Sequence, residues 1–149
     1  MELNNEKSVS GLADAVRKTF NLAGQDIRQI PALTLAYLGD CIYELIIRTM
    51  LVEQGNCHVN DLNKKSSFYA KAPSQAKMMH GIEALLTEEE MSFYKRGRNT
   101  KSGSVAKSGT VAEYRTATGF EALMGYLYLE GRTERIFELV RAGTEALDS

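Results

Sequence analysis

Two acidic residues stand on otherwise apolar stretches and could together do metal-assisted chemistry. Asp40 lies in LAYLGDCIYELIIR at residues 35–48, and Glu121 lies in TGFEALMGYLYLEG at residues 118–131. If both stretches are helical, the residues three, four and seven positions from each acid are mostly apolar. An ionised carboxylate left dry on such a face is strongly unfavourable unless it is paired or binds a cation. Each acid therefore requires a specific partner.

Spacing alone leaves two interpretations of these acids open. Each carboxylate could pair with a lysine or arginine, or reach water at the edge of its helix, which is the commoner arrangement. Alternatively the two acids could meet, because Gly39 and Gly125 cost helix stability, about 1 kcal/mol each relative to alanine, and indicate a close helix approach. Two carboxylates, phosphate oxygens and water would form a cage of the hard ligands that Mg²⁺ prefers.

Helical spacing dominates the elements that would position these acids, and the chain has only two prolines and no long alternating strand pattern. We therefore predict an all-α domain without internal repeats. Asn60 and Thr133 are predicted as helix caps, and capping boxes are predicted at 87–90 and 110–113. The predicted helices are 10–20, 31–53, 61–70, 73–85, one that opens at 87–90, one from 110 to about 130, and about 134–147.

The segment RGRNTKSGSVAKSG at 96–109 is rich in glycine, serine and lysine and is predicted to be a mobile loop. Loops of that length in compact domains are usually functional or disordered. No acid occurs between residues 95 and 110. Basic loops are usually only solvated, but such residues also bind the phosphates of nucleic acids. The candidate phosphate-binding residues are Lys95, Arg96, Arg98, Lys101, Lys107 and Arg115, and a second basic stretch contains Lys64, Lys65, Lys71 and Lys77.

Length and composition exclude several classes of protein. The 149 residues suit one compact domain with one core, at 44% hydrophobic and 25% charged residues. The net charge of −1 gives the protein as a whole no electrostatic attraction to a strongly charged partner. Cys41 and Cys57 match no metal or redox spacing, Cys41 is expected to be a buried thiol, and a reducing compartment is indicated. No membrane-spanning stretch or secretory signal is expected.

The two acidic stretches also resemble the motifs of a known family. LAYLGDCIYELIIR is similar to the signature of the ribonuclease III family, E-x-L-E-F-L-G-D-A-x-L, and TGFEALMGYLYLEG is similar to its second catalytic helix, D-x-x-E-A-L-x-G. The resemblance is stronger to the small mini-ribonuclease III branch and covers about residues 24–145, including YKRGRNTKSGSVAKSGTVAEYR. Ala36 and Thr118 stand where the larger enzymes carry two further acids, so fewer carboxylate ligands are expected.

The resemblance implies a fold, an activity and a set of site residues. It implies a homodimeric ribonuclease III-like helical bundle over 23–149, preceded by an N-terminal extension at 1–22 and without a double-stranded-RNA-binding domain. Asp40 and Glu121 would hold Mg²⁺ for hydrolysis of double-stranded RNA, and the basic residues named above would hold the RNA.

The same resemblance implies a biological setting. The substrate would be the precursor of 23S ribosomal RNA, in the cytoplasm of a bacterium, with large-subunit components as further candidate partners. Two competing hypotheses remain, a non-catalytic binder of duplex RNA that kept the fold and a purely structural helical dimer.

Overall fold

The structure is a computed structural model that describes residues 11–55, 58–100 and 109–149. These residues form an all-α fold without strands, as the sequence predicts, with the 3₁₀ helices Ile27–Gln29 and Glu83–Leu85 between α-helices. None of its described helices is long and apolar enough to cross a membrane. The α-helices are α1 (Leu12–Thr19), α2 (Ala32–Gln54), α3 (Val59–Ala70), α4 (Ala72–Ile82), α5 (Glu88–Asn99), α6 (Val111–Leu129) and α7 (Thr133–Asp148).

Helix α6 forms the centre of the bundle and is buried on every side over most of its length. A helix that is apolar all round must be enclosed by other elements. Helices α2, α4, α5 and α7 pack around it. The core is built on its fully buried side chains, among them Phe120, Leu123, Met124 and Leu127. The acid on this helix, Glu121, is therefore held by an element whose other side chains are largely buried in the core.

Helices α2 and α6 cross with their backbones in contact, at the glycines from which the sequence predicted a close approach. A Cβ atom added to Gly39 would meet the carbonyl oxygen of Glu121, and one added to Gly125 would meet the carbonyl oxygen of Leu35. Only glycine fits at such a crossing. Asp40 follows Gly39 directly, so the crossing brings it to the level of Glu121.

The predicted loop at 96–109 is wrong at its start, because α5 continues to Asn99. Gly97 does not break this helix; it lets α5 pack against α6, where its added Cβ would lie 2.8 Å from Ala122 Cβ and 2.9 Å from Gly119 Cα. Arg96 and Arg98 therefore belong to a helix. Residues 101–108, which include Lys101 and Lys107, lie outside the described residues.

The helix ends confirm some of the predicted caps and correct others. Both capping boxes form, Thr87 with Glu90 and Thr110 with Glu113. Asn60 and Thr133 were wrong as caps: helix α3 already begins at Val59 and α7 at Thr133. The reason is that the helical hydrogen bonds start earlier, from Leu62 N–H to the His58 carbonyl and from Ile136 N–H to the Arg132 carbonyl.

Helix α1, within the predicted extension at 1–22, packs against the rest of the domain. Ala13 is buried, and Arg17 Nη2 donates to the carbonyl oxygen of Leu129 at 3.0 Å. Arg17 also pairs with Asp14 at 2.7 Å. Because α6 ends at Leu129, this arginine satisfies one of the carbonyls that a helix leaves open at its C-terminus.

Helix α2 carries apolar residues on two faces, and this overturns one expectation. Leu35, Tyr43 and Ile47 are buried in the core, whereas Tyr37 is 81% exposed and Leu45 is 55% exposed. Cys41 shares the open side and is an exposed thiol, not a buried one. The apolar run did not show which of its two faces the domain covers.

Candidate active site

Asp40 and Glu121 meet at the crossing of α2 and α6. Their carboxyl groups lie within hydrogen-bonding reach of each other. Asp40 is exposed, which corrects the expectation of a dry face, and Glu121 is half-buried. The exposure of Asp40 follows from its place on the open side of α2. One carboxyl group of the pair therefore faces solvent, and the other lies partly inside the bundle.

The electrostatics of the pair favour a bound cation or a shared proton. Burial, followed by the neighbouring charge of Asp40 and a hydrogen bond with it, raises the pKa of Glu121 to about 9. Both carboxylates cannot ionise together at neutral pH without a compensating positive charge. Paired acids with a strongly perturbed pKa are typical of functional sites.

The salt-bridge interpretation of these acids is wrong for the part of the chain that the structure describes. Within 11–55, 58–100 and 109–149, neither Asp40 nor Glu121 lies within 4.0 Å of a lysine, arginine or histidine nitrogen. The edge interpretation is correct only in that Asp40 reaches solvent. The negative charge of the pair is therefore not neutralised by any of the described side chains, and a cation from outside them could bind here.

Glu44 is a third acid near this pair and was not among the predicted site residues. It lies one turn after Asp40 and forms an ion pair with Arg48, at 3.4 Å. Its charge nevertheless contributes to the raised pKa of Glu121. The spacing of four from Asp40 placed both acids on one face of α2 and could have revealed it.

Gln75 on α4 also faces Glu121, and no sequence signal marked it. It is 1% exposed. Its side chain lies within reach of the Glu121 carboxyl and lowers the pKa of that group, opposing the effect of burial. Its Nε2 nevertheless completes no hydrogen bond of ordinary geometry, within 3.5 Å, to any group among the described residues.

The donor set suits a hard divalent cation but supplies only part of a coordination shell. Carboxylate oxygens without a cationic neighbour are the ligands that Mg²⁺ prefers. No group of three or more histidine, cysteine, aspartate or glutamate side chains suited to a metal occurs in the described ranges. Water and substrate oxygens would therefore complete the shell, as the absence of acids at Ala36 and Thr118 led us to expect.

The predicted phosphate-binding residues with described positions lie on α5 and α6. Lys95 is exposed on α5, and Arg115 is exposed near the start of α6. Arg98 lies over the Tyr94 ring at 5.5 Å and donates to Asn99. The α5 contact at Gly97 also touches the carbonyl of Thr118, one turn before Glu121.

Arg96 has a structural contact in addition to its predicted role. Its Nη2 donates to the carbonyl oxygen of Ile30 at 2.8 Å, and its guanidinium lies 5.1 Å from the centre of the Phe93 ring. The contact ties α5 to the segment just before α2. Part of this guanidinium is therefore already engaged within the fold.

Comparisons with known proteins identify the family. A model described as Ribonuclease III domain matches residues 33–132, a range that contains both acids. A mini-ribonuclease 3 from Symbiobacterium thermophilum is 45% identical over 119 residues, which cover 80% of this chain and 92% of that protein. One from Thermoanaerobacter sp. is 41% identical over 143 residues, covering 96% of this chain and 99% of that protein.

A solved structure agrees with this result. The crystal structure of a Fusobacterium nucleatum protein matches with a TM-score of 0.74 and 35% identity, covering 79% of this chain and 96% of that one. With this fold, these relatives and its two acids side by side, the chain belongs to the ribonuclease III family of metal-dependent endoribonucleases, in the mini-ribonuclease III branch.

Proposed function

We propose that the protein is a Mg²⁺-dependent endoribonuclease that hydrolyses phosphodiesters in double-stranded RNA, with Asp40 and Glu121 as its metal ligands. The observation that supports this most directly is the meeting of the two carboxyl groups at the α2–α6 crossing without a neighbouring cationic side chain in the described residues. The proposed substrate is the 23S ribosomal RNA precursor in the bacterial cytoplasm, with large-subunit components as further partners.

The protein groups have distinct tasks in this mechanism. Asp40, which is exposed, and Glu121, which is half-buried on the core helix α6, would hold the cation between solvent and the core. Glu44 adds negative potential at the same place. When bound, Mg²⁺ supplies Lewis-acid chemistry: it makes water a better nucleophile and offsets the charge that grows on the phosphate. Phosphate oxygens of the RNA would supply further ligands, because the protein offers few.

The basic residues hold the RNA by its phosphates. Lys95, Arg98 and Arg115 do so from α5 and α6, and Arg96 keeps further N–H donors beside the one it gives to Ile30. Lys101 and Lys107 belong to the same proposal and lie outside the described residues. Gly109, the first described residue after them, lies beside α4, since a Cβ added to it would lie 2.9 Å from Pro73 Cγ. A-form RNA is recognised largely by shape, so sequence preference is limited.

A homodimer completes the proposal. Leu12, Leu45 and Phe137, on three different helices, line one apolar groove and are 43%, 55% and 47% exposed. Contiguous apolar surface of this kind marks an interaction site. A second copy would cover it and place two catalytic sites in one particle, so that each protomer cuts one RNA strand and the product carries a short 3′ overhang.

Cleavage of a duplex RNA with and without Mg²⁺ tests the function. We expect Asp40→Asn to abolish cleavage and leave RNA binding near normal, and the exposed Asp61→Asn on α3 to cut like the wild type. A wild-type protein that binds duplex RNA but never cuts it is the non-catalytic binder. A protein with no salt-dependent RNA affinity is the structural helical dimer.

A further inference from the structure

Gln75 presents an unusual feature, a buried amide donor without a completed hydrogen bond. The residue lies in the first turns of α4, and its backbone N–H is fixed by a 3.1 Å bond to the Lys71 carbonyl. Its Nε2 is buried and has no hydrogen-bond partner in the described parts of the chain. Leaving such a donor unsatisfied costs about 1–3 kcal/mol. Most buried polar groups are satisfied, so this one requires an explanation.

The Gln75 side chain points toward the proposed metal site, and this direction explains the unsatisfied donor. Helix α4 packs against α6, and the Gln75 side chain reaches toward the Glu121 carboxyl. The surrounding positions on α4 are buried as well, namely Ser74, Ala76, Met78 and Met79. The donor therefore lies in the bundle interior with the carboxyl of a metal-ligand candidate within its reach.

The chemistry of an amide fits this place better than that of other side chains. A lysine here would neutralise one carboxylate and compete with the cation, and a glutamate would add another acid to a crowded site. Leucine and methionine donate no hydrogen bond. A glutamine can donate to one carboxylate oxygen without changing the net charge, which leaves the cation as the compensating charge.

We propose that Gln75 is a positioning residue for cation binding: in the cation-loaded enzyme its Nε2 donates to one oxygen of Glu121 and so turns the other oxygen toward the metal. This inference rests on the proposed function, because it needs a cation at Asp40 and Glu121. Groups that orient metal ligands in this way typically contribute ten- to a hundredfold to metal affinity.

Replacement of the donor tests the proposal through metal binding at fixed pH. Gln75→Met keeps an unbranched side chain of similar length and removes the N–H groups. We expect its Mg²⁺ affinity, measured by calorimetry without RNA, to fall about tenfold or more. The metal-free variant should melt at the same or a higher temperature, because a buried unsatisfied donor is gone. With RNA, kcat should fall while KM for RNA stays near the wild-type value.

A neighbouring substitution controls for disturbed packing. Ser74→Ala removes a buried polar group from the same turn of α4 and should keep Mg²⁺ affinity within about twofold. If Gln75→Met alters the melting temperature but binds Mg²⁺ like the wild type, Gln75 is a purely structural residue and the proposal is wrong.

A second measurement uses the wild-type protein and so does not depend on whether a variant folds. The side-chain amide of Gln75 in the wild-type protein should shift in a nitrogen–proton correlation spectrum as Mg²⁺ is added, because its N–H gains an acceptor. An amide signal that stays in place while Mg²⁺ binds would overturn the role of Gln75 and leave the proposed function standing. A wild-type protein that binds no Mg²⁺ and cuts no RNA would instead refute the proposed function.

Discussion

The Asp40 and Glu121 carboxyls lie within hydrogen-bonding reach of each other because α2 and α6 touch backbone to backbone at Gly39 and Gly125. The geometry of the site and the packing of the core are therefore one structural feature. Any residue larger than glycine at the crossing would separate the two helices and with them the two acids.

Gly39→Ala tests this dependence. The added Cβ would meet the backbone carbonyl of Glu121, which cannot move aside like a flexible side chain. We expect a loss of about 2 kcal/mol or more in the free energy of unfolding, measured with urea, although alanine favours helices by about 1 kcal/mol. Thr49→Ala, exposed on the same helix, should stay within about 0.5 kcal/mol. Equal stability of Gly39→Ala and wild type would show that the helices do not touch.

The raised pKa of Glu121 makes Mg²⁺ binding dependent on pH. Burial and Asp40 raise the pKa of Glu121 to about 9, so its folded form holds a proton at neutral pH that a cation must displace. The apparent Mg²⁺ affinity should therefore rise with pH between the ordinary value of 4.5 and about 9. Calorimetry at pH 7 in two buffers of different ionisation enthalpy should show proton release on binding.

The variant Glu121→Gln provides the comparison for this pH dependence. It removes both the proton and one metal ligand, so we expect weak Mg²⁺ binding that hardly changes over the same pH range. Wild-type binding without proton release would mean that Glu121 is already ionised at neutral pH.

A buried ion pair outside the site should matter for stability alone. Glu90, 1% exposed, accepts from Arg135 Nε at 2.9 Å and Nη2 at 2.8 Å and also closes the capping box of α5. The hydrogen bond from Arg135 lowers the pKa of Glu90. This carboxylate therefore stabilises the fold above its unfolded-state pKa of 4.5, and the stabilisation is lost as pH falls through the lower folded value.

Glu90→Gln measures this contribution. It should lower the free energy of unfolding by about 3 kcal/mol near neutral pH, because it removes the buried one of the two carboxylates that pair with Arg135. Glu138→Gln affects the same arginine through a 67% exposed side chain and should change stability by less than about 0.5 kcal/mol. Similar losses in both variants would show that burial does not distinguish the two pairs.

The sequence predicted the helical architecture, because hydrophobic spacing is a local signal. It offered the meeting of Asp40 and Glu121 as one of two interpretations, because the glycines beside them indicate a close helix approach but do not show which helices touch. Gly97 was predicted to lie in a loop, because the low helix propensity of glycine is a local signal. The contact of Gly97 with Ala122 and Gly119, which offsets that loss of helix stability, depends on tertiary packing. Gln75 was missed for the same reason. Its alignment with Glu121 depends on how α4 docks on α6, which its own spacing does not encode.

The basic segment after α5 provides the last prediction. Changing Lys101 and Lys107 together to alanine should weaken binding to duplex RNA of any sequence, because each lysine releases counterions when it contacts a phosphate. The slope of log affinity against log salt should fall by about 2. Changing the exposed Lys18 and Arg141, on α1 and α7, removes the same charge and should leave the slope unchanged. If both double variants lose affinity equally, the RNA responds only to net charge. If neither does, the segment makes no phosphate contact and RNA is held from α5 and α6 alone.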